Sequence, residues 1–103
     1  MSKLALHALL TAADGKGAEL EAAVTQLVAA SAEEAGLEVY AAAVDTSNPN
    51  LIHFFEIYTD EAALGVHGQG DGMKAAMGAV GGLLDGAPVI TMLRPFAAKG
   101  VDV

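Results

Sequence analysis

Three side chains able to hold or move a proton fall within a dozen residues: Glu56, Tyr58 and His67. They straddle a junction where a strand-like apolar run, LIHFFEIYT, gives way to a helix opening, DEAALGVH. Alternate residues of a strand share a face, which puts Glu56 beside Ile52, Phe54 and Tyr58. A carboxylate in such surroundings either finds a partner or titrates above its usual range. His67 lies three residues after Leu64, and residues so spaced share a helix face, so packing Leu64 on the sheet brings the imidazole inward. An imidazole beside a carboxylate is held in one tautomer and accepts a proton more readily. The chemistry expected is proton abstraction, with His67 as base, Glu56 as its orienting partner and Tyr58 as hydrogen-bond donor to a substrate oxygen. Phe54, Leu64 and Met73 are the apolar residues expected to hold that substrate.

Each of these residues also has a plainer reading. Glu56 is then a structural acid satisfied by backbone or by a helix, His67 closes a helix before Gly68, and Tyr58 fills the core. Gly68-Gln-Gly-Asp-Gly72 follows a helix instead of a strand and lacks the G-x-G-x-x-G spacing, which argues against a phosphate loop. It reads as the mobile rim of a pocket lying between the sheet and the second helical region, or as a simple helix break. His53 is an odd number of residues from Glu56, and so faces the other side of the strand. His7 looks isolated. Three scattered histidines without H-E-x-x-H spacing lead us to expect no metal.

Composition removes several function classes. The absence of cysteine excludes disulfides, thiol catalysis and zinc-thiolate sites. A net charge of −8, from five basic and thirteen acidic residues, disfavours nucleic acid and anionic lipid as partners. Lys3 followed by LALHALLTAA faintly resembles a signal peptide, but His7 interrupts the apolar run and a first strand is the better reading. No apolar run approaches the ~20 residues of a membrane helix. A cytoplasmic location is expected.

Positioning those residues requires a regular frame. Lys3–Ala12 reads as a strand and Asp14–Gly17 as a turn. Ala18 to about Ala35 is a helix with Leu20, Val24, Leu27 and Ser31 in one stripe, stopped by Gly36. Leu37–Val44 and Leu51–Thr59 are strands flanking the polar turn Asp45–Asn50, a hairpin. Asp60 is a candidate N-cap for a short helix. A second helix follows, with Met73, Met77, Val80 and Leu84 in register, and Val89–Phe96 is a last strand. The order βαββαβ predicts an α+β, ferredoxin-like domain over residues 1–103, an antiparallel four-stranded sheet with its helices on one face. Residues 97–103 form a loose tail. The strands are apolar on both faces, although a sheet with helices on one side would ordinarily be polar on the other. A second copy covering that side is expected; misread strand registers in an alanine-rich chain are the rival explanation.

The run from Phe55 to His67 resembles the Y-E-x-Y/W-x-D-x-x-A-L-x-x-H signature of the antibiotic biosynthesis monooxygenase family, with Phe55 in place of the tyrosine. ADGKGAELEAAV is similar to that family's turn and first-helix opening, AGLEVYAAAVDTSNPNLIHFFE to its hairpin, and DGAPVITMLRPF to its final strand. The resemblance implies a homodimeric α+β barrel and a monooxygenase that needs no cofactor. The substrate it implies is a small aromatic, quinol-like or polyketide-like molecule. Two departures bear on chemistry. Members often carry a second histidine, in S-P-H-F, where this chain has Gly72 followed by Met73. No tryptophan is present, whereas the haem-degrading relatives depend on Asn, Trp and His together. A dimeric small-metabolite binding or isomerase-type protein, or a non-catalytic stress or regulatory protein, remains an alternative of the same fold.

Overall fold

The computed structural model describes residues 2–103. Its elements are β1 (Leu4–Thr11), α1 (Gly17–Ala30), a 3-10 turn (Ser31–Glu33), β2 (Leu37–Asp45), β3 (Asn48–Tyr58), α2 (Glu61–Val66), α3 (Asp71–Gly81) and β4 (Val89–Leu93). The four strands form one antiparallel sheet in the order β2-β3-β1-β4. This is the expected ferredoxin-like arrangement, with the second crossover split into two helices.

Alternation along the central strands decides which residues enter the core. Leu6, Ala8 and Leu10 of β1 and Ile52, Phe54, Glu56 and Tyr58 of β3 are buried on one face. Leu20, Val24 and Leu27 of α1 and Met73 and Val80 of α3 close over them. Burying each such large apolar side chain contributes roughly 1.5–3 kcal/mol. The other face carries His7, Leu9, His53, Phe55 and Ile57, and among the described residues no helix packs on it. Phe55 there is 52% exposed.

Several boundaries differ from the expected ones, each for a local reason. α1 ends at Ala30 and tightens into the 3-10 turn, where Ser31 Oγ donates to the Val28 carbonyl at 2.6 Å. Gly36 is therefore not the residue that stops the helix. Its lack of a side chain serves the approach of α2, since a Cβ there would lie 2.5 Å from Ala63 Cβ. β3 begins at Asn48 instead of Leu51, and the β2–β3 hairpin is irregular. Asp45 pairs with Asn48 but Val44 pairs with Ile52, so Pro49, Asn50 and Leu51 have no counterpart on β2. Proline lacks the N–H that a ladder needs, which suits it to this break. β4 stops at Leu93. Residues 97–103 form neither helix nor strand, and the Asp102 carbonyl accepts a hydrogen bond from Lys3 Nζ.

Candidate active site

Glu56 and Tyr58 project from β3 toward the helices. Glu56 is 6% exposed and Tyr58 fully buried, and the Tyr58 hydroxyl donates to Glu56 Oε1 at 2.5 Å. Burial pushes the Glu56 carboxyl above its ordinary range. The Tyr58 hydrogen bond and His67 oppose that shift, while Glu34 adds to it. Burial raises the Tyr58 phenol too, and the Glu56 carboxylate raises it further, so Tyr58 stays protonated as a donor.

His67 is placed by the way α2 begins and ends. Asp60 caps the helix as expected, its carboxylate accepting from the Ala63 amide at 2.9 Å. α2 gives out at Val66, and His67 turns extended, with ψ 127°. Gly68 then takes φ 80°, a left-handed conformation that favours glycine. The partner that fixes the imidazole is Glu34, just after the 3-10 turn. Its Oε1 lies 2.5 Å from His67 Nδ1, and its Oε2 accepts the Gly68 amide at 2.6 Å. A carboxylate accepts, so in the neutral imidazole Nδ1 carries the proton and Nε2 presents a lone pair.

That lone pair faces Glu56. Nε2 and Glu56 Oε1 are 3.9 Å apart, too far for the direct hydrogen bond that the sequence suggested. The gap has another use, because one hydroxyl oxygen set to the side of the line joining the two atoms can lie within hydrogen-bond reach of both. The rings of Tyr40 and Tyr58 meet the imidazole edge-on, each with centroids 5.4 Å away. Tyr40 also lies against Phe54, the two rings tilted with centroids 4.7 Å apart. Burial raises the Tyr40 phenol, as do the charges of Glu56 and Glu34, and it remains a neutral donor.

These groups stand at one end of a cavity of about 350 Å³ between the sheet and α3. Tyr40, Glu56 and His67 reach its wall, and the rest is apolar, including Leu6, Leu10, Phe54, Met77, Val80 and Ile90. Phe54 is thus where it was expected. Leu64 and Met73 are not on the wall: Met73 is fully buried in the core and Leu64 packs against it. Tyr58 also stands behind the wall and acts on the cavity through Glu56. A second hollow of about 360 Å³, between α1 and β2, is lined mainly by valine, alanine and threonine and offers Glu21 and Tyr40 as its ionisable groups.

The glycine loop is tied down at both ends. Glu34 holds Gly68, and Glu33 Oε1 accepts from the Met73 amide at 3.1 Å in the first turn of α3. Gly70 is small because the Glu33 carboxylate occupies the space a Cβ would take. The loop does not line the cavity, so the expected mobile rim is a clasped connection. His7 is not isolated either. Its Nε2 lies 3.0 Å from His53 Nδ1 on the helix-free face, and His53 Nε2 lies 3.0 Å from Asp45 Oδ2. Among the described residues, no group of three or more His, Cys, Asp or Glu is arranged to hold a metal ion.

Sequence reasoning missed Glu34 and Tyr40. Glu34 sits in the acidic stretch SAEEAG, inside the span expected to be the first helix and off its apolar stripe. Tyr40 pairs with Glu56 across β2–β3, but only because of the three-residue slip in the hairpin.

Residues 4–79 match the model of a family described as antibiotic biosynthesis monooxygenase. No curated protein sequence matches the chain. Among solved structures, a Caulobacter crescentus protein provisionally described as an antibiotic biosynthesis monooxygenase is 32% identical. The alignment covers 93% of this chain and 92% of that one, with a TM-score of 0.84. A Pseudomonas aeruginosa protein is 31% identical over 94% of this chain and 97% of its own, with a TM-score of 0.83. A Nitrosomonas europaea protein of unknown function is 28% identical over 100% and 98%, with a TM-score of 0.82.

Proposed function

The chain belongs to the antibiotic biosynthesis monooxygenase family, and from that membership we propose that it is a homodimeric, cofactor-independent monooxygenase acting on a small aromatic, quinol-like substrate. The observation that carries this reading is the facing pair of His67 Nε2 and Glu56 Oε1, 3.9 Å apart at the polar end of an otherwise apolar cavity. A substrate hydroxyl seated between them gives its proton to Nε2. Glu34, already bound to Nδ1, stabilises the imidazolium that forms, as an orienting carboxylate does behind a catalytic histidine. Tyr40, and Glu56 when protonated, donate to the oxygen left behind. The electron-rich anion then meets O₂ in a cavity whose apolar wall keeps water away. One oxygen atom enters the product and the other leaves as water, with all four electrons supplied by the quinol. No cofactor takes part in this scheme. A cytoplasmic location is part of this proposal; none of the described helices is long and apolar enough to cross a membrane.

The test is oxygen uptake with a panel of hydroquinones and naphthohydroquinones in chelator-treated buffer. Uptake is expected from the wild type, with kcat reduced ~100-fold or more in His67→Gln, the scale of a lost general base. Glu34→Gln should lower kcat more than it raises KM. No uptake above the uncatalysed rate with any quinol would overturn the proposal. One observation favours an isomerase instead: at Gly72 the second histidine of many relatives is missing, and the neighbouring group is the Glu33 carboxylate. Substrate hydrogen exchanging with deuterated solvent, without oxygen consumption, is the result that reading requires.

A further inference from the structure

The cavity is electrostatically one-sided. Glu56 stands on its wall and Glu34 directly behind His67, both well removed from solvent. The chain has five basic residues, and none of Lys3, Lys16, Lys74, Arg94 or Lys99 is on the wall. Lys3 is paired with Glu38 and Lys16 with Glu19. The phenol that the wall offers as a donor, Tyr40, is neutral. The carboxylates also oppose ionisation of Tyr40, so a test anion already inside the site meets their repulsion.

We propose that this cavity takes an uncharged, hydroxylated aromatic molecule of one or two fused rings and rejects the same ring bearing a carboxylate or sulfonate. The inference rests on the reading of the cavity as a substrate site. Its volume of about 350 Å³ lies at the lower end of the usual ligand-pocket range of roughly 300–1,000 Å³, which sets the ring size. Charge selection follows from the order of events. A neutral hydroxyl loses its proton to His67 Nε2, so the anion appears beside the imidazolium created with it and the net charge of the site is unchanged. A ligand that arrives as an anion finds no Lys or Arg on the wall and has Glu56 beside it and Glu34 behind His67, or must bring a proton in from solvent. Burial of a charge without a counter-ion is strongly disfavoured.

Anaerobic calorimetric titration at pH 7.5 with 1-naphthol, 1-naphthoate and 1-naphthalenesulfonate tests this. Naphthol should bind, and each anion should bind at least ~30-fold more weakly, the low end for an unpaired buried charge. Ile90→Lys places a cation on the wall from a half-exposed position on β4. It should narrow the ratio at least about tenfold, the effect of one modest ion pair in the site. Anion affinity within about threefold of naphthol in the wild type, a free-energy gap well under that of an unpaired charge, overturns the selectivity while leaving the substrate site standing. An unchanged ratio in folded Ile90→Lys overturns its electrostatic origin. If none of the three probes binds, the substrate-site reading itself fails and this inference with it.

Discussion

Glu56 and Glu34 are both carboxylates beside His67, yet their surroundings separate their roles. Glu34 is committed twice, to Nδ1 and to the Gly68 amide, and both bonds suit its ionised form. Glu56 has one phenol as donor and an apolar setting, which raises its pKa. That shift carries a stability signature. With its folded pKa above the unfolded value, Glu56 keeps a proton in the native state that the unfolded chain has already released. The native state is therefore favoured by this group below the ordinary carboxylate range, and the advantage is lost as pH rises through the folded pKa. Urea unfolding of wild type and Glu56→Gln should show the wild type losing ground relative to the variant between pH 4.5 and pH 8. A stability difference independent of pH would mean that Glu56 titrates normally. Asp45 behaves in the opposite sense: bonds from the Ser47 hydroxyl and amide, then from His53, hold it at about 2.

The elements around the site differ in how much of their sequence is spent on position. α3 carries Gly78 with nothing within 4 Å of where a Cβ would stand, at an ordinary negative φ. Gly78→Ala should therefore stabilise the protein by ~0.5–1 kcal/mol through helix propensity and a less flexible unfolded chain. Gly70 is the counter-example at the other end of the same helix. Gly70→Ala displaces the Glu33 carboxylate that accepts the Met73 amide, and should cost about 1 kcal/mol, as the loss of a helix cap does. Paired thermal and urea denaturation reads both signs. Equal effects at the two positions would mean that the Glu33 clasp does not hold the end of α3.

For the molecule as a whole, the helix-free face of the sheet is the unfinished part. Phe55, Val89 and Leu93 on it are 52%, 61% and 47% exposed. Its histidines are partnered within the chain: His7 meets His53, His53 meets Asp45, and the His7 ring lies tilted against Phe55 at 5.3 Å. Covering this face would take large apolar side chains out of water at little polar cost, so we predict a second copy over it. Light scattering should report a particle of twice the 10.4 kDa chain, with at least the ~1,200 Å² interface of a specific complex. Phe55→Asp should produce monomers. A wild-type monomer at micromolar concentration would refute the dimer.

The element order, the alternation of Ile52, Phe54, Glu56 and Tyr58 on one face, and the Asp60 cap all follow from the sequence. Strand period, helix period and capping chemistry act over a few residues, and near neighbours report them. The same parity argument separated His53 from Glu56. Tertiary structure decided which residues meet. His67 finds Glu34, 33 positions away, because α1 stops early and a 3-10 turn aims that carboxylate inward. Tyr40 reaches the site because the hairpin slips at Pro49, and His7 meets His53 diagonally across two central strands. Periodicity assigns a residue to a face; register and the crossing of elements select its neighbour there, and both are set by packing the whole chain at once.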